Sequence, residues 1–179
     1  MSKDGVGIGE HVRVAVGPSP KNEKVVLLGF SRVQLGHDEK GNIVIDGDSG
    51  WLGPNEITNF GFANCIVKNI GTGSGGSTVS HMALGTGTAP NVTHTSLDEE
   101  TGARKATTNT VESSKTHQST AAWASGDNPG ECTIKNIGLY CSSDGSNLVC
   151  GNTYTASTWA TNQGVSATYQ LRFGTTSSL

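Results

Sequence analysis

The most regular hydrophobic pattern lies near the C-terminal end of the chain. Between residues 165 and 173, Val165, Ala167, Tyr169, Leu171 and Phe173 alternate with Ser166, Thr168, Gln170 and Arg172. A period of two predicts a strand with one face turned inward and one outward. Shorter stretches rich in Val, Ile, Thr and aromatic residues precede it at residues 79–84, 104–112, 116–123, 132–141 and 147–155. The second and third would turn at Ser113-Ser114, and the last two across residues 142–146, Ser-Ser-Asp-Gly-Ser. No helical period falls between these stretches, so the strands should pair antiparallel.

Ahead of them the pattern changes. One helix is predicted near residues 54–70: Gly53-Pro54 would open it, since proline at the first turn gives up no hydrogen bond. Ile57, Phe60, Val67 and Ile70 fall near a 3.6-residue spacing, and Gly71 would close it. Gly61 in its interior weakens such a helix by about 1 kcal/mol. Further upstream, Val12, Val14 and Val16 alternate, and residues 24–30 and 42–46 are strand candidates, punctuated by Gly5, Gly7, Gly9 and the turn Gly17-Pro18-Ser19-Pro20. Residues 1–49 therefore read as an extended N-terminal arm that lies on a neighbour or adds strands to the main sheet, or equally as two hairpins of one domain. Residues 50–179 form the main domain. The expected fold class is all-β, an antiparallel β-sandwich or jelly-roll-like domain with one helix.

Composition sharpens this picture. Charged residues make up only 15 % of the 179 residues and apolar ones 34 %, the balance being Ser, Thr, Asn and 25 glycines. Such residues favour strand surfaces and turns over helices. The net charge is only −3, too small for the self-repulsion that keeps chains unfolded. At this length one core can hide roughly 70 % of the unfolded surface. The 12 Lys and Arg are scattered, so no nucleic-acid footprint is expected. No apolar run approaches the ~18 residues of a membrane span, and Met1-Ser2-Lys3-Asp4-Gly5 does not begin a secretory leader. Synthesis in a cytosol is the expectation.

Several short motifs tempt without the context that their chemistry needs. Gly47-Asp48-Ser49-Gly50 matches the nucleophile tetrapeptide of trypsin-like proteases, but only 48 residues precede Ser49, too few for the His base and carboxylate of two barrels. Gly71, Gly73 and Gly76 satisfy G-x-G-x-x-G, yet the predicted order is helix, glycines, strand, the reverse of a dinucleotide site. Asp46-x-Asp48 opens like a calcium loop, but its sixth position is Trp51 and its twelfth Ile57. Asn91-Val92-Thr93 is a glycosylation sequon without a leader to expose it. His11, His37, His81, His94 and His117 show no metal-ligand spacing. Asp98-Glu99-Glu100 ahead of Arg104-Lys105 reads as a solvated charged loop, with an intersubunit salt bridge as the other reading. No catalytic, cofactor or metal residue is expected, and the chain is not expected to be an enzyme.

The cysteines carry more. Cys132, Cys141 and Cys150 recur at nine-residue intervals, and Cys65 stands apart in the helix. Cys141 and Cys150 could meet across the hairpin around residues 143–146. Either all are buried thiols acting as small hydrophobes, or at least one of these three joins a disulfide once the protein leaves a reducing cytosol.

Residues 50–173 resemble small structural proteins of tailed-bacteriophage particles. The resemblance rests on residues 50–61 (Gly-Trp-Leu-Gly-Pro-Asn-Glu-Ile-Thr-Asn-Phe-Gly), residues 80–90 (Ser-His-Met-Ala-Leu-Gly-Thr-Gly-Thr-Ala-Pro), Arg104-Lys105-Ala106-Thr107-Thr108, residues 134–140 (Ile-Lys-Asn-Ile-Gly-Leu-Tyr) and the closing alternating strand. Residues 1–49 lie outside it, and the nine-residue cysteine interval departs from it. It implies a virion structural protein without catalysis. The expected partners are further copies of the chain, as a homotrimer, and the major capsid or other virion proteins, with neither nucleic acid nor membrane bound. Made in a host cytoplasm, the protein would be carried in the virion. A capsid decoration (cement) protein is the first expectation. The alternative is a tail, collar or fibre module, with residues 85–96 and 144–147 on a host glycan and Trp123, Trp159, Tyr140 and Tyr154 as the available aromatics.

Overall fold

The computed structural model describes residues 24–40, 42–71 and 75–175. They form two five-stranded antiparallel sheets, one short helical segment and a single 3-10 turn at Ser125–Asp127. In the first sheet, β1 (Val25–Glu39) lies between β2 (Asn42–Asp48) and β10 (Gln163–Thr175). The sheet then continues through β7 (Thr116–Trp123) to β6 (Thr108–Ser113). The second runs β3 (Glu56–Ile57), β9 (Leu148–Trp159), β8 (Cys132–Tyr140), β4 (His81–Gly85), β5 (Glu100–Ala106).

The alternation read at the C-terminal end is what sets the inner face of the first sheet. Val165, Ala167 and Tyr169 are buried, and they join Val33 and Leu35 from β1 and Trp123 from β7. Facing them across one core are Met82, Leu84, Ile134, Ile137, Leu139, Val149 and Trp159 of the second sheet. The alternation fades at the strand end: Leu171 is only partly buried and Phe173 is 44 % exposed.

Residues 25–48 belong to this frame and not to a separate arm. β1 pairs with β10 from Val25↔Thr175 to His37↔Gln163, and β2 pairs back onto β1. The sequence predicts a strand only over residues 24–30, and β1 runs on to Glu39. Gly29 is a close approach, where an added Cβ would meet the Asn55 amide at 2.1 Å. The expected arm over residues 1–23 lies outside the described residues.

Both edges of the sheet pair are joined by chain that passes from one sheet to the other. After β2, Ser49 N–H donates to the Val33 carbonyl, Leu52 and Ser31 exchange two bonds of 2.9 Å, and Asn55 N–H donates to the Gly29 carbonyl. The chain then crosses and pairs with β9 as β3. On the opposite edge, the single predicted strand 104–112 is two strands in different sheets. β5 hands over to β6 at Thr107, whose N–H donates to the Ser80 carbonyl. Propensity cannot reveal such a switch, because both halves keep extended backbone.

The helix starts later than predicted. Pro54 belongs to the crossing segment, Ile57 is in β3, and a π-helical segment Gly61–Val67 runs into an α-helix Lys68–Gly71. Thr58 supplies the cap, its Oγ accepting the Gly61 N–H at 3.0 Å. Gly61 is no weak point here. A Cβ on it would lie 2.1 Å from the Val149 carbonyl oxygen, so glycine is what lets this segment dock on β9.

Two stability predictions follow from these contacts. Gly61→Ala should destabilise by about 1–3 kcal/mol, against its helix-propensity gain, because backbone must move. Asn152→Ala should cost about 1–3 kcal/mol, since its amide donates to the Leu52 carbonyl and to Ser31 Oγ in the other sheet. Urea unfolding of both variants measures this; a stabilised Gly61→Ala would contradict the docking argument.

Candidate functional site

The residues that carry chemistry in the sequence are spread over separate sites. Ser49 sits at the end of β2, its Oγ accepting the Val33 N–H and donating to the Gly50 carbonyl, both at 2.9 Å. His37 pairs with Asp46 at 2.9 Å, but it is four residues along β1 from Val33, about 13 Å of extended strand. The tetrapeptide is a strand-end turn. Asp48 is held by Arg32 through two guanidinium nitrogens, by Gln34 and by the Gly50 N–H. The Arg32 bond keeps its carboxyl well below the usual carboxylate range. Among the described residues no three His, Cys, Asp or Glu side chains are grouped as metal ligands. His81 Nδ1 meets Ser80 Oγ at 2.9 Å, His94 Nε2 meets Asn91 Nδ2 at 2.8 Å, and His117 Nε2 meets Ser119 Oγ at 3.0 Å. His11 lies outside the described residues.

The acidic run is not a free loop. Glu100 takes two bonds from Arg104, at 2.8 and 2.9 Å, and also accepts the Tyr140 hydroxyl. The Arg104 guanidinium stacks 3.5 Å from the Tyr140 ring centre, and Asp98 accepts Thr88 N–H and Oγ–H. These contacts satisfy within one chain the charges that suggested an intersubunit bridge. They also fix the loop of residues 85–96, as Asn136 does by donating to the Thr88 and Asp98 carbonyls. Arg104 further ties down residues 144–147 through the Gly145 carbonyl.

The thiols are arranged differently from their spacing. Cys132 starts β8 opposite Trp159, with its sulfur 3.8 Å from Thr101 Oγ. Cys150 lies opposite Leu139 rather than Cys141, and burial pushes its thiol up to about 12. Cys141 follows β8 and meets Cys65, sulfur to sulfur, at 3.2 Å. All four are free thiols. No local pattern in the sequence could have matched Cys65 to Cys141, because the contact depends on how the helical segment docks.

Both sheets have outer strands among the described residues, β2 and β6 in the first and β3 and β5 in the second. On β2, Ile43, Val44 and Ile45 are 67 %, 38 % and 49 % exposed, and on β6 Val111 is 80 % exposed. The outer face between them is a polar ladder. Gln170 donates to Gln118, Gln118 to Glu112, and Arg172 to Gln170. Arg172 also lies over the Phe30 and Trp51 rings, at 4.4 and 5.8 Å. A cavity of about 380 Å³ opens beside the helical segment, lined by Leu27, Ile57, Ile66, Val79, Leu171 and Phe173 among others.

No protein-family model, curated protein or solved structure matches this chain.

His37 and His117 should titrate on opposite sides of 6.5. The hydrogen bond that His37 donates to Asp46 raises His37, whereas burial lowers His117. The His37 pair thus adds to folding below pH 6.5 and its contribution fades as pH rises through the folded value; protonating His117 as pH falls works against folding. Proton NMR should show the His37 midpoint drop toward 6.5 in Asp46→Asn with His117 unmoved. Coincident midpoints in the wild type would contradict the assignment.

Proposed function

We propose that this protein is a virion structural protein, a β-sandwich subunit that decorates and stabilises a capsid shell by pairing with copies of itself and with shell subunits. The observation that carries the reading is the outer edge of β2, where three successive aliphatic side chains stand exposed on a strand that has no further strand beside it among the described residues. An apolar strand edge of this kind is a template for another strand. Isolated soluble domains ordinarily blunt such edges with charge or proline. The charge-poor surface supports the same reading, because uncharged amides and hydroxyls lose less on desolvation than ions.

The alternative, a tail, collar or fibre module reading a host glycan, has less behind it. Trp123, Trp159, Tyr140 and Tyr154 are all buried, at most 7 % exposed, and cannot stack on a sugar. The two loops that would contact it are tied to the frame through Arg104 and Asn136.

Sedimentation of the wild type and of Ile43→Lys tests the proposal. The wild type should sediment as an oligomer, a trimer on the decoration reading, and bind isolated shells. Ile43→Lys should be monomeric, with an unchanged strand signal in circular dichroism. A wild type that stays monomeric at high concentration and ignores shells would sink the proposal.

A further inference from the structure

The Sγ atoms of Cys65 and Cys141 are 3.2 Å apart although 76 positions separate them in the chain. That is about 1 Å beyond an S–S bond of ~2.05 Å. Both sulfurs sit on anchored elements. Cys65 is on the π-helical segment, which is docked through Gly61 against the Val149 carbonyl and capped by Thr58. Cys141 directly follows β8, whose last two residues, Leu139 and Tyr140, are wholly buried. Both cysteines are only partly buried, so a small reagent can reach them.

The two thiols are not equivalent. Cys141 accepts a hydrogen bond from the Cys65 thiol and another from the Ser77 hydroxyl, and these lower its pKa below the ordinary cysteine value. Donating to Cys141, together with burial, pushes Cys65 up. A stabilised thiolate beside a protonated partner thiol is the asymmetry of a reactive dithiol. Cys150, by contrast, is fully buried, and Cys132 packs against the core with its sulfur 3.8 Å from Thr101 Oγ.

We propose that Cys65 and Cys141 form a thiol–disulfide exchange site for low-molecular-weight disulfides, with Cys141 as the attacking thiolate and Cys65 as the resolving thiol. The Cys141 thiolate attacks one sulfur of the small disulfide, forming a mixed disulfide and releasing one small thiolate. Cys65 then attacks the Cys141 sulfur, breaks the mixed disulfide and releases the second small thiolate, which takes up the Cys65 proton. In sum, two protein thiols are oxidised to one bridge, and one small disulfide is reduced to two thiols. The bridge fastens the helical segment to the end of β8 and so fixes one wall of the neighbouring cavity, which Cys65 and Ile66 line. The site is separate from the β2 and β6 edges and does not depend on the assembly reading.

The full chain, reduced and then equilibrated with graded ratios of oxidised to reduced glutathione, tests this after rapid alkylation and peptide mapping. One bridge should appear, linking Cys65 to Cys141, with Cys132 and Cys150 alkylated only after unfolding. Bridging should raise Tm on the order of 10 °C, as closure of a long loop does. Cys65→Ser should stop at a glutathione adduct on Cys141, and Cys141→Ser should react roughly tenfold more slowly than the wild type. Four free thiols at every ratio, a bridge that uses Cys132 or Cys150, or an adduct collecting on Cys65 in the wild type would each overturn the proposal.

Discussion

The buried carboxamide of Asn152 ties the two sheets to each other, and the half-buried one of Asn55 ties the crossing segment to the first sheet. Asn152, in the second sheet, donates to the Leu52 carbonyl at 2.9 Å and to Ser31 Oγ at 3.1 Å, both alongside the first. Asn55, on the crossing segment, accepts the Gly29 N–H and donates to the Tyr169 hydroxyl, each at 2.6 Å. An apolar core tolerates sliding as long as volume is filled, but a buried amide does not, because losing either partner leaves a polar group without water. These amides fix where the chain leaves the first sheet after β2. That in turn fixes where β3 meets β9 and where the Thr58 cap and the helical segment begin.

The crossings on both sides decide which backbone is left to meet another molecule. On one edge the chain passes through residues 49–55 into β3, and on the other β5 becomes β6 at Thr107. The second sheet ends in β3 and β5, each continuous along the chain with an outer strand of the first. The first sheet keeps β2 and β6 as outer strands. Ile43, Val44 and Ile45 on β2 and Val111 on β6 stand exposed there, as do Val25 on β1 and Phe173 on β10, while the face between carries the Gln170–Gln118–Glu112 ladder.

Much of the fold was legible where one face of a strand is buried and the other wet. The period of two at residues 165–173 marked Val165, Ala167 and Tyr169 as core, and each is at most 1 % exposed. Legibility ended where a residue's role depends on a distant partner. Gly61 looked like a weakness and, like Gly29, is a close-approach position, Gly61 against Val149 and Gly29 against Asn55. Residues 104–112 looked like one strand because a switch of sheets leaves no trace in the pattern. Pro54 drew the helix start forward, while the cap at Thr58 depends on docking against residues 148 and 149. The thiol arrangement was hidden for the same reason: nine-residue intervals describe Cys132, Cys141 and Cys150 along the chain, and Cys65 reaches Cys141 only through the docked helical segment.

We propose that this domain acts through the β2 and β6 edges of its first sheet. Amide hydrogen exchange in dilute solution and in the assembled state tests it most directly, because strand addition protects the outward backbone of an edge and leaves the core unchanged. The account predicts new protection on assembly at residues 42–48, at residues 108–113, or at both, with β8 and β9 equally protected in the two states. Protection that appears instead over the loops of residues 85–96 and 144–147, with β2 and β6 exchanging as freely as before, would contradict it.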